Sequence, residues 1–199
     1  MMAASNDLFA MVQAHTAAAT AELSELPTWA RYRGVVLYAV APAQRLMDWH
    51  LALPASEQRP YSRSWESVLP SIWSYAAGDG QSWYPISHAL GNYYLSPQHH
   101  IEGQDGPDDA DQDEVAATIF AANAVLHGLV GFALLAGGRA IDAIDNRWYG
   151  IDEKRLALET RTEVARQRSA LELIVEAAKD KAAWRERAPA ELIAALRSA

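Results

Sequence analysis

Residues 115–138, VAATIFAANAVLHGLVGFALLAGG, form a run of 24 positions without a single charge. A run of that length is long enough to cross a bilayer. Thr118, Asn123 and His127 interrupt it, however, and much of it is Ala and Gly instead of Leu or Ile. It therefore reads as a buried central helix and not as a membrane span. Ala117, Ala121, Ala124, Gly128 and Gly131 make a small-residue stripe along which a second helix can approach closely. The pattern predicts a helix from Asp113 to Ala136, a pause at Gly137-Gly138, and a continuation through Asp145. His127, beside the stripe, is expected to be buried with a hydrogen-bond partner.

On either side the apolar periodicity is also helical. Ser5 is placed to cap a helix running to about Glu25, and Pro27 ends it. A second helical stretch starts near Thr28, with Pro42 expected to break or kink it. A third runs from about Ser64 towards Tyr75, where Pro70 is tolerable only near the first turn or at a kink, and a fourth from Ser82 to Leu95, with Pro85 in its first turn. Asp152 opens the longest helix, predicted to reach about Arg187, and Pro189 starts a short last one. No internal repeat or strand hairpin is visible. The fold class is an all-helical bundle of about six to eight helices, with residues 1–199 forming one domain.

The charge is uneven. Seven carboxylates fall between Glu102 and Glu114, with no Lys or Arg among them. Outside that segment the chain has 18 acids against 17 bases, so most of the net charge of −8 is local. Residues 64–138 contain no base at all, whereas residues 139–199 contain twelve. An anionic loop at 98–112 attracts a cation or a basic protein surface. It also argues against nucleic acid as a partner, because no basic stripe is present to neutralise phosphates. Two or three of these acids have an ordinary role at a helix start: Asp111 and Glu114 are spaced as a capping box. The absence of Cys excludes disulfides and thiolate metal sites. The first fifteen residues lack a basic start and a sustained apolar run, so no secretory signal is expected.

Motifs for catalysis are scarce. No GxSxG elbow is present, and neither Gly78-Asp79-Gly80 nor Gly137-Gly138 has the context of a phosphate-binding loop. His99 and His100 adjoin the acidic loop as weak metal-ligand candidates, but nothing fixes their geometry. The run Asp109 to Asp113 starts like a calcium loop and fails where Gly and a final Glu are required, at Glu114 and Phe120. No cofactor is expected. Asp142 and Asp145, flanked by Arg139 and Arg147, read as surface ion pairs. Trp29, Trp49, Trp65, Trp73, Trp148 and Trp184 read as packing residues; Trp83-Tyr84, in a turn within the block that lacks Lys and Arg, has core anchoring as its default role and a partner interface as the sharper alternative.

Residues 38–80, YAVAPAQRLMDWHLALPASEQRPYSRSWESVLPSIWSYAAGDG, are similar to helical immunity-type proteins of bacterial toxin systems. There a helix leads through a Pro-polar-Arg-Pro loop, here Pro54 to Gln58-Arg59-Pro60, into another helix. The chain also resembles, over about residues 35–145, a YjaG-like helical family of unknown function. The first resemblance implies a non-enzymatic cytoplasmic protein that neutralises a toxin by binding it. On that reading the partner is basic and meets Trp83, Tyr84, Glu102, Asp105, Asp108, Asp109, Asp111 and Asp113, with the acids steering association. The alternative is a helical enzyme or ligand-binding bundle with a polar core site at Asn123, His127, Asp142 and Asp145. A third reading makes the 152–187 helix a pairing surface in a homo-oligomer.

Overall fold

The protein was described from a computed structural model, which covers residues 2–58, 62–95, 113–184 and 188–198. Among these residues the structure is all helical: α1 (Met2–Glu25), α2 (Thr28–Leu51), α3 (Ser62–Glu66), α4 (Leu69–Ala76), α5 (Trp83–Tyr94), α6 (Asp113–His127), α7 (Val130–Trp148), α8 (Glu153–Ala177) and α9 (Ala190–Ser198). A short 3-10 turn at Gly80–Ser82 leads into α5. No helix among the described residues is long and apolar enough to cross a membrane.

Helix α2 is the axis of the bundle. Its residues 34–43 are all buried, and α1, α4, α6, α7, α8 and α9 all pack against it. A helical segment buried on every side must be apolar on every side, and GVVLYAVAPA over 34–43 has no charged residue. Pro27 starts it: its carbonyl accepts from the amides of Ala30 and Arg31, both at 2.8 Å. The break expected at Pro42 does not occur, and α2 continues to Leu51. An interior proline costs about 3 kcal/mol. Burying Val35, Val36, Leu37 and Val40 returns about 1.5–3 kcal/mol each, so packing prevails.

The uncharged run is not one helix. It is cut at Gly128, which has φ +63°, into α6 and α7 folded back on each other. A left-handed residue ends a helix most cheaply when it is glycine. The expected pause at Gly137-Gly138 is absent; both lie inside α7. Ala117, Ala121 and Ala124 do form a buried small-residue face, but Gly128 belongs to the turn and Gly131 is exposed. The polar residues of the run are accommodated individually. Thr118 donates to the Glu114 carbonyl at 2.8 Å and Asn123 to the Ile119 carbonyl at 3.0 Å, each one turn back.

Helix α8 stops ten residues short of the expected Arg187. Asp180 accepts from the amides of Ala182 and Ala183, fixing a turn. Trp184 then folds back, fully buried, and its indole N–H donates to the Ala177 carbonyl at 2.7 Å. Arg33 on α2 donates to the Trp184 carbonyl, tying this corner to the central helix.

Candidate functional site

Three helices present the same kind of face to one space. On α2 the positions are Pro42, Arg45, Leu46 and Trp49; on α7 they are Ala140, Ala143, Ile144 and Arg147. On α8 the series runs Arg155, Leu158, Glu159, Thr162, Glu163, Arg166. Every series steps by three, then one, then three, which is one stripe of an α-helix. Together they enclose a cleft of about 540 Å³. Such a volume lies in the range of small-molecule sites, about 300–1,000 Å³.

Two arginine–glutamate pairs order the walls. The Arg45 guanidinium contacts Glu163 twice, Nη2 to Oε1 at 2.7 Å and Nε to Oε2 at 3.4 Å. Both side chains are largely buried, and Glu163 also accepts from Gln167 at 3.0 Å. Arg155 donates to Glu159 at 2.8 Å and lies 3.9 Å above the Trp148 ring, whose N–H also donates to Glu159. Burial works to raise the Glu159 carboxyl, yet these hydrogen bonds and the nearby guanidiniums hold it below the usual range.

Arg147 differs from both. Its guanidinium carbon lies 4.7 Å from the centre of the Trp49 ring and 4.9 Å from that of Trp148. Cation–π contact therefore holds it between two indoles. Among the described residues it makes no ion pair with a carboxylate. Of the surface pairs expected of Asp142 and Asp145 with the arginines that flank them, Arg139 with Asp142 forms, Nη1 to Oδ2 at 3.8 Å.

A buried polar chain leads away from the cleft. Gln167 donates to the Gly137 carbonyl at 2.9 Å and faces His15 at 3.3 Å, and His15 faces the Tyr38 hydroxyl at 3.0 Å. Burial, the larger effect, lowers the His15 pKa from its ordinary value. Burial also pushes the Tyr38 hydroxyl up, assisted by the Glu163 carboxylate.

The residues singled out from sequence are dispersed. Trp83 and Tyr84 are exposed at the start of α5, and the Tyr84 ring stacks on His88. Glu102, Asp105, Asp108, Asp109, Asp111, His99, His100 and Arg59 lie outside the described residues. Asp113 is not a surface acid. It is buried, accepts from Asn146 at 3.0 Å and lies 3.6 Å from Arg139. Burial raises its pKa, while Asn146 and Arg139 oppose that shift. Next to it, Glu114 lies 3.5 Å from His50, both buried.

Asn123, His127, Asp142 and Asp145 do not make a core site. Asn123 is buried and also donates to the Tyr94 hydroxyl at 3.3 Å. His127 is exposed, contrary to expectation, because α6 ends there; its ring lies 5.5 Å from that of Phe132. Asp142 and Asp145 are exposed on the part of α7 that lies beside the start of α6, since Asp113 contacts Arg139 and Asn146. That is the opposite end of α6 from His127, about 20 Å along the axis. Among the described residues no three His, Asp or Glu side chains gather as a metal site. Arg45, Trp49, Arg147, Glu159 and Glu163 were missed by motif reading, although their three-one-three spacing was available. No family model, curated protein or solved structure matches this chain.

Proposed function

We propose that this chain is a non-enzymatic ligand-binding helical bundle, and that the cleft between α2, α7 and α8 is its binding site. The observation that carries this reading is the cleft itself, lined by seven apolar residues and seven polar or charged ones, four of the latter ordered as two arginine–glutamate pairs. That combination suits capture of a small molecule: apolar area supplies affinity, and fixed polar groups supply orientation. Filling the cleft tests it. Leu158 is exposed on its rim and Ala143 is in its wall, so Leu158→Trp and Ala143→Phe each occupy space a ligand needs. Screening a panel of small apolar and amphipathic compounds by thermal shift should give compounds that stabilise the wild type and neither variant. Equal stabilisation of all three proteins would place binding elsewhere.

A second reading is favoured by a different observation. Trp83 and Tyr84 stand side by side in solvent at one end of α5, within the part of the chain that has no Lys or Arg. Exposed paired aromatics suit the centre of a protein interface, and neighbouring acids suit a basic partner. On this reading the chain is an immunity-type protein acting in the cytoplasm against a basic toxin domain. The test is association with basic nuclease domains. Trp83→Ala with Tyr84→Ala should speed dissociation, and charge reversal of Asp108, Asp109 and Asp111 should slow association. Unchanged rates in both variants would remove this reading and leave the cleft untouched.

A further inference from the structure

We propose that the cleft selects an anion: a free small molecule with an apolar body and one acidic head group, seated on Arg147. This rests on reading the cleft as the binding site. The charge count inside the cleft is opposite in sign to that of the protein. Four guanidiniums, of Arg45, Arg147, Arg155 and Arg166, face only two carboxylates, of Glu159 and Glu163. Each carboxylate already has its arginine, at 2.7 Å for Glu163 and 2.8 Å for Glu159. The surplus therefore falls on Arg147 and Arg166, neither of which makes an ion pair with a carboxylate among the described residues, although Arg147 lies near enough to Glu159 to act on its charge. Arg166 is exposed at the mouth; Arg147 is half-buried.

Arg147 is the better seat because it is already ordered. Its guanidinium carbon lies over both the Trp49 and Trp148 rings, and among the described residues its N–H donors make no hydrogen bond to a carboxylate. A guanidinium presents those donors as a fork matched to two oxygens of one acid group. Holding the fork in place beforehand lowers the entropy lost on binding. Beside it, Leu46, Ile144 and Leu158 offer the apolar surface for the rest of the ligand. The overall net charge of −8 does not prevent this, since charges beyond about 8 Å are largely screened at physiological salt.

Two fluorescent dyes isolate the head group. 1-Anilinonaphthalene-8-sulfonate is an aromatic anion, and N-phenyl-1-naphthylamine is nearly the same molecule without the sulfonate. Titrations use the full chain, with near-ultraviolet circular dichroism confirming that each variant remains folded. The anion should bind the wild type more tightly, and Arg147→Gln should weaken it about ten- to hundredfold, the loss expected for a charge-assisted hydrogen-bonded pair. The neutral dye should change less than about twofold by the same comparison. Arg147→Lys, which keeps the charge and loses the fork, should fall between. Leu158→Trp should weaken both dyes. If Arg147→Gln weakens both equally or neither, the anion proposal is overturned while the cleft reading stands. If Leu158→Trp affects neither dye, both bind elsewhere and the cleft reading falls with it.

Discussion

Replacing Gly128 by Ala tests where the long apolar run turns. Gly128 adopts φ +63°, and a side chain in that region costs about 1–2 kcal/mol. The new Cβ would also lie 2.6 Å from Cδ2 and 2.9 Å from Cε2 of Tyr32. Tyr32 is poorly placed to retreat. Its hydroxyl donates to the Val125 carbonyl and can accept from the Tyr75 hydroxyl at 3.3 Å, and its ring meets Tyr75 edge-on at 6.1 Å. Giving up one such hydrogen bond costs about 1 kcal/mol, so the total is about 2–3 kcal/mol. For a chain of this size that lowers the melting temperature by about 4–12 °C. Gly138→Ala is the internal control. It lies within α7, and a Cβ there meets nothing within 4 Å. Ala should therefore stabilise it by up to about 1 kcal/mol through better helix propensity. Urea unfolding of the two variants gives both numbers. A Gly128→Ala protein within 0.5 kcal/mol of wild type, a margin about the size of ordinary surface effects, would refute the argument. So would a Gly138→Ala protein that is the more damaged of the two.

Glu163→Leu should destabilise by about 2–4 kcal/mol, less than for a fully buried pair because Arg45 borders the open cleft. Arg45→Met added to it should restore most of the loss in urea unfolding; a double variant no better than the single would show that the pair is not what Glu163 stabilises. The pH response of His15 has a definite sign. Its folded pKa is lowered, chiefly by burial, so the unfolded chain takes the proton first as the solution is acidified. Its contribution to stability is complete above about 6.5, the ordinary histidine value, and is lost as pH falls through the lower folded value. Unfolding measured at several pH values should show this loss in wild type and a flatter profile in His15→Gln.

The fold was legible where apolar periodicity and proline agree. Pro27 separates α1 from α2, and α5 lies within one residue of its expected bounds, whereas the single helix expected over 64–75 is divided into α3 and α4 with Pro70 in the first turn of the second. Errors arose where local signals competed with packing. Pro42 is a strong local breaker, but the burial of its neighbours outweighs it. Gly137-Gly138 outranks a single glycine as a turn signal. The turn nevertheless needs a positive φ at one place, and Tyr32, nearly a hundred residues away in sequence, helps to fix which one. The end of α8 depends on Trp184 returning to the Ala177 carbonyl, a tertiary contact with no local signature.

The site was harder to read because net charge describes the wrong scale. Counting acids directs attention to 102–114, the region richest in charge, whereas recognition depends on which charges lack an internal partner. In sequence Arg147 is only a flank of the acids Asp142 and Asp145, and the pair that forms there is Arg139 with Asp142, three residues apart. What faces Arg147 instead comes from α2, through Trp49, and from its own neighbour Trp148. The informative pattern was the repetition of one three-one-three stripe on α2, α7 and α8, each mixing aliphatic residues with arginine. A purely apolar stripe would have closed into core. These stripes cannot close completely, because drawing their guanidiniums together in a dry interior would cost more than the apolar contact returns. The cleft is therefore a consequence of composition on three helix faces, and it leaves two of its four guanidiniums, those of Arg147 and Arg166, without an ion pair among the described residues.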